Sequence, residues 1–153
     1  MKPMMFVRYF NVVVVLLMCV YPIQAQESGW KCDEHAFEYD MSAFLVLVDE
    51  NDRMLDMSQY EVAAFVEDEC RGVARLERNE DGSEYMYIRI RSHVSEGEIV
   101  SFKCYSTSSR KIYGIDNTIG FKERTSAGYP SSPLFLLKVT PEYQVVVDVV
   151  GKG

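Results

Sequence analysis

The chain has 153 residues, 48% of them hydrophobic and 25% charged, with a formal net charge of −7 and only 9 Gly and 5 Pro. That balance belongs to one ordinary globular domain and excludes disordered, collagen-like and coiled-coil classes, whose compositions are strongly biased. The acidic excess speaks against nucleic acid as a partner, because duplex binding draws on counterion release by Lys and Arg.

Residues 1–25 read as a signal peptide. Lys2 and Arg8 form a positive start, Val12 to Val20 is an unbroken apolar run, and Ile23-Gln24-Ala25 ends in a small residue suited to cleavage. The run is shorter than the roughly 20 apolar residues of a membrane span, so no span is expected in the mature chain. Lipidation at Cys19 is disfavoured because Met18 stands before it, where a small residue is needed. Removing Lys2 and Arg8 from the 16 basic residues leaves 14 against 23 acidic ones, a net charge of −9 for the mature domain over residues 26–153. Such a charge keeps an exported domain, whether periplasmic, surface-bound or secreted, in solution. The compartment also permits disulfides. Cys32, Cys70 and Cys104 remain after cleavage, enough for one bridge and one spare thiol, with the pairing open.

Along the mature chain the apolar residues alternate with period two. Ala43 to Val48 reads as a strand ending in the turn-forming Asp49-Glu50-Asn51-Asp52. Tyr60 to Val66 is a second strand, and Gly72 to Leu76 follows after Glu67-Asp68-Glu69. Asp81-Gly82 marks a hairpin, and Glu84 to Arg91 then places Met86, Ile88 and Ile90 on one face and Tyr85, Tyr87, Arg89 and Arg91 on the other. Glu96-Gly97-Glu98 reads as a further turn, after which Val100, Phe102 and Cys104 share a core face. Ser106 to Lys111 is loop-like, Ile112 to Ile115 and Thr118 to Lys122 are two short strands, Leu134 to Val139 is another, and Pro141 separates it from Val145 to Val150. This pattern predicts an all-β fold, an antiparallel immunoglobulin-like β-sandwich of about seven to eight strands. Residues 141–153 would add an extra C-terminal strand, either paired at an edge or offered to a neighbouring subunit as in pilus-like assembly.

The segment Glu61-Val62-Ala63-Ala64-Phe65-Val66-Glu67-Asp68-Glu69-Cys70-Arg71-Gly72-Val73-Ala74 resembles the "AAFVxDECRGVA" stretch of a β-sandwich module of secreted and surface proteins of Gram-negative anaerobes. Trp30 with Phe37 to Met41 looks like that module's opening strand, Gly97 to Lys103 like its "GExVxFx" strand, and Ser132 to Leu136 like its closing strand. The resemblance spans roughly residues 30 to 137, most of a domain length. It implies an accessory unit, often appended to larger extracellular proteins, with no assigned catalytic residues. The chain departs from the pattern by standing alone, by carrying Cys32 and Cys104, and by its tail after Pro141.

No catalytic signature is present, and the chain reads as a non-enzyme without cofactor or metal. Cys70 with His93 or His35 is the only nucleophile and base pairing to consider for a small hydrolase, and neither lies in a nucleophile context. The acidic turn at Asp49 lacks the Gly and distal Glu of a calcium loop, and Glu67-Asp68-Glu69 reads as a solvated turn. His35 and His93, 58 positions apart and without Cys-x-x-Cys pairs, have no zinc spacing. Arg71 and Gly72 read as structural, Gly72 relaxing a bulge and Arg71 bonding Glu67 or Glu69. The aromatics carry the functional reading: ten Tyr, eight Phe and one Trp, with Tyr85 and Tyr87 side by side on a wet face and Trp30 as a further ring. Such rings can stack on an extracellular glycan or anchor a protein.

Overall fold

The computed structural model describes residues 28–131 in full and the backbone of residues 135–141. The segment expected to be a signal peptide, Cys19 within it, and the expected tail strand Val145 to Val150 lie outside the described residues.

The described residues form nine strands: β1 (Tyr39–Val48), β2 (Tyr60–Val66), β3 (Glu69–Val73), β4 (Arg75–Arg78), β5 (Glu84–Ser92), β6 (Glu96–Ser106), β7 (Lys111–Lys122), β8 (Ser126–Ala127) and β9 (Phe135–Pro141), with one 3₁₀ turn at Met57–Gln59. They make an all-β sandwich with hydrogen-bonded order β3-β2-β6-β7-β9-β1-β5-β4. Neighbours pair antiparallel except where β1 runs parallel to β8 and to β9.

Period-two alternation determines what is buried. Met41, Ala43, Leu45 and Leu47 of β1 meet Val62 and Ala64 of β2, Met86, Ile88 and Ile90 of β5, and Val100, Phe102 and Cys104 of β6 in one core. Each fully buried large side chain there contributes about 1.5–3 kcal/mol of transfer free energy.

Two strands change sheet and close the sandwich at its sides. β3 and β4 are almost one strand, bent at Ala74, whose N–H donates to Val62 O at 2.8 Å. The first half pairs with β2 and the second with β5. At the other side, residues 135–138 of β9 pair with β1 and residues 139–141 with β7. Corners made by bent strands are a usual way to join two packed sheets.

Three sequence expectations change. Ile112–Ile115 and Thr118–Lys122 belong to the single strand β7, because a register shift opposite Ser101 takes up the polar residues between them. Glu96-Gly97-Glu98 is not a turn. The chain reverses at residues 93–95, and Gly97, at φ 100°, forms a bulge within β6 between the pairs Glu96↔Lys122 and Ile99↔Gly120. A non-glycine residue rarely adopts that backbone, so Gly97 permits the bulge. Gly72, by contrast, has no positive φ. The bulged residue of β3 is Arg71, since Ala64↔Gly72 is followed by Phe65↔Cys70.

Candidate functional site

The outer face of β4, β5 and β1 gathers most of the chemistry on this surface. Because Met86, Ile88 and Ile90 are buried, the intervening Tyr85, Tyr87, Arg89 and Arg91 must face outward. The cross-strand register then decides their company. Tyr87 stands between Arg75 of β4 and Phe44 of β1, Arg89 opposite Ser42, and Arg91 opposite Asp40. The Phe44 ring lies 5.3 Å from Tyr87 and 5.7 Å from Tyr85, tilted by 54° and 51°. Tyr87 Oη is 3.4 Å from Ser42 Oγ, and the Arg75 guanidinium lies over the Tyr87 ring, 5.5 Å from its centroid. Directly opposed and diagonal aromatic pairs of this kind orient one another on a sheet.

Phe44 is the third ring that sequence reasoning missed. Its signal was present, since Phe44 is out of phase with Ala43, Leu45 and Leu47, but its partners lie about 40 positions away and only the register joins them. Trp30 is not part of this cluster. It packs edge-on against Phe65 at 5.6 Å, on the outer side of β2, where Ser28 also bonds Glu61. Lys103 covers the same Phe65 ring at 5.3 Å. Trp30 therefore holds the segment before β1 across the second sheet.

Concavities flank the rings. One, of about 300 Å³, is lined by Cys32, Glu34, Arg75, Tyr87, Arg89 and Arg91 among others. A broader one, about 690 Å³, lies beyond Phe44 and is lined by Ser42, Arg124, Thr125 and the exposed Tyr129. A third links them, sharing Glu34, Arg89 and Arg91 with the first and Asp40 with the second. The groove arginines meet carboxylates: Arg89 Nη2 donates to Asp40 Oδ2 and Arg91 Nη2 to Glu34 Oε2, both at 2.7 Å, while Arg75 stands 3.8 Å from Glu77. The bond Arg89 donates to Asp40, and then the Asp40 charge, raise the Arg89 pKa and hold its cation.

Beneath the groove lies a clamp. Arg71, only 3% exposed, donates Nη1 to Glu98 Oε2 at 3.0 Å and to Arg91 O at 3.2 Å, and Nη2 to Glu98 Oε1 at 2.9 Å. Its Nε forms an ion pair with Glu69 at 2.9 Å, in agreement with one of the two partners expected, and its guanidinium covers Phe37 at 5.0 Å. Burial raises the Glu98 pKa, but bonds from Ser92 and Arg71 and the Arg71 charge outweigh it, leaving Glu98 below the usual carboxylate range. This fork joins β3, β5 and β6. Gly72 completes the contact by closeness: a Cβ there would stand 2.4 Å from Arg89 O.

Among the described residues Cys32, Cys70 and Cys104 are all free thiols, so the one bridge that three cysteines permit is not formed. Cys104 is a buried hydrophobe whose pKa burial pushes up to about 12. Cys70 donates weakly to Gly72 O at 3.7 Å, and burial raises its pKa, opposite to what a nucleophile needs. Cys32 lines the smaller groove beside Gly72, and burial followed by the nearby Cys70 raises it as well. His93 lies against Phe37 at 4.5 Å with Nε2 3.6 Å from Glu69, and His35 N donates to Asp33 Oδ1 at 3.1 Å. Asp49 serves its own turn, accepting from the Asn51 and Arg53 amides at 2.8 and 3.0 Å. Among the described residues no three His, Cys, Asp or Glu side chains converge as a metal-holding group, and no helix is long and apolar enough to cross a membrane.

No family model, no curated protein and no solved structure matches this chain.

Proposed function

We propose that this chain is an exported, non-catalytic binding module that holds a glycan at the cell envelope on the outer face of β4, β5 and β1. The observation that carries the reading is the Phe44 ring between Tyr85 and Tyr87, which turns two neighbouring tyrosines into a three-ring cluster bordered by grooves. Sugar rings present apolar C–H faces and polar rims, and half-exposed tyrosines match both with a ring face and a hydroxyl. The export signal and the resemblance to extracellular accessory modules support the same compartment. Cys70, with its thiol on a backbone carbonyl and its pKa raised, favours a binding role over a hydrolase.

Glycan-array binding by the mature domain, repeated with Tyr87→Ala and Phe44→Ala, tests the proposal. Binding is expected, with a loss of about tenfold in either variant, the scale of one lost aromatic contact. Absence of any glycan binding, or binding indifferent to both changes, would overturn it. Capture of a protein partner by this face alone would replace it with the protein-binding reading.

A further inference from the structure

Resting on that reading, we propose that the glycan is acidic, with a sugar carboxylate seated in the smaller groove on Arg75 and Arg89. Within a chain of net charge −7, this groove is lined by three arginines, Arg75, Arg89 and Arg91. Glu34 is the one carboxylate among the lining residues, so the groove lining carries an excess of positive charge.

The three are not equivalent. Arg91 has a side chain only 12% exposed and is tied to Glu34 by Nη2 and to Glu34 O by Nε, so it belongs to the groove wall. Arg75 is 72% exposed, lies over Tyr87, and stands 3.8 Å from its nearest carboxylate, beyond hydrogen-bond length. A guanidinium over an aromatic ring keeps its N–H edge available for hydrogen bonding, and that edge is what a carboxylate uses for a two-point bond. Arg89, 54% exposed, meets Asp40 through Nη2, one nitrogen of a group with five N–H donors. The ring and the cation therefore stand in one row, Arg75 opposite Tyr87, with Arg89 two residues further along β5 on the same face.

Titration of the mature domain with polygalacturonate, its methyl ester, dextran sulfate and a neutral glucan tests this. The acid polymer is expected to bind at least tenfold more tightly than its ester, and both Arg75→Gln and Arg89→Gln to lose about tenfold, as for a lost charge-assisted bond. Arg75→Lys retains charge but not the fork, and is expected to recover only part of the loss. Both sites are exposed, and unchanged melting temperatures will exclude misfolding. Equal binding of acid and ester, with Tyr87→Ala still harmful, would overturn the acidic ligand while leaving the aromatic platform standing. Equal binding of dextran sulfate would overturn the carboxylate assignment in favour of general anion attraction. No binding to any of the four by any variant would sink both.

Discussion

Replacing Gly72 by Ala would place a Cβ 2.4 Å from Arg89 O, 3.2 Å from Arg89 C and 3.3 Å from Ile88 Cγ1. A carbon beside a carbonyl oxygen needs a separation well beyond 3 Å, and the obstacle is backbone, so no rotamer change relieves it. Either β3 or β5 must move by nearly an ångström. Overpacking of a tight core costs about 1–3 kcal/mol, and the upper part of that range applies where the clash is with main chain. In a domain of this size, about 4 °C of melting temperature follows each kcal/mol, which puts Gly72→Ala on the order of 10 °C below the parent. Gly120→Ala is the control: no atom lies within 4 Å of its Cβ and its φ is ordinary, so its melting temperature should stay level or rise slightly. Thermal unfolding followed by circular dichroism distinguishes the two. A Gly72→Ala protein melting within about 2 °C of the parent would refute close approach as the reason for this glycine.

Arg71→Met removes the fork to the part-exposed Glu98, at a cost of about 2–3 kcal/mol in chemical denaturation; a loss below about 1 kcal/mol would show the clamp to be dispensable. Glu98 has its folded pKa below its unfolded value of about 4.3, so its contribution is present above that value and fades as pH falls through the depressed folded pKa. Glu98→Gln should therefore flatten the acid side of the stability profile, and an unchanged slope below about pH 4 would contradict the assignment. Native alkylation near pH 8 should reach Cys32 and Cys70 before Cys104, whose pKa of about 12 leaves almost no thiolate; peptide mass mapping that finds Cys104 labelled first would contradict its burial.

How much of this was legible beforehand depends on how far apart the interacting residues lie. Tyr85 and Tyr87 were placed outward correctly because alternation along one strand is a local property of the pleat. The same rule found the core face of Val100, Phe102 and Cys104. Gly97 and Gly72 both sit in contexts that suggest irregular backbone, and they differ for reasons no local window contains. One sits at φ 100° in a bulge, the other beneath a carbonyl 17 positions later in the chain.

The sequence by itself determined the all-β character and the buried and wet faces of β5 and of the Val100 to Cys104 part of β6, since these follow from neighbours within a few residues, and it narrowed a partner of Arg71 to Glu67 or Glu69. Tertiary structure alone decided that Phe44 joins the tyrosines, that Trp30 does not, and that Arg75 and Arg89 share a groove. Those facts depend on which strands pair and in what register, and a shift of one residue in the β1 to β5 pairing would exchange every inward and outward side chain. Register is selected by the whole core at once, which is why the site, unlike the strands that carry it, had to be seen folded.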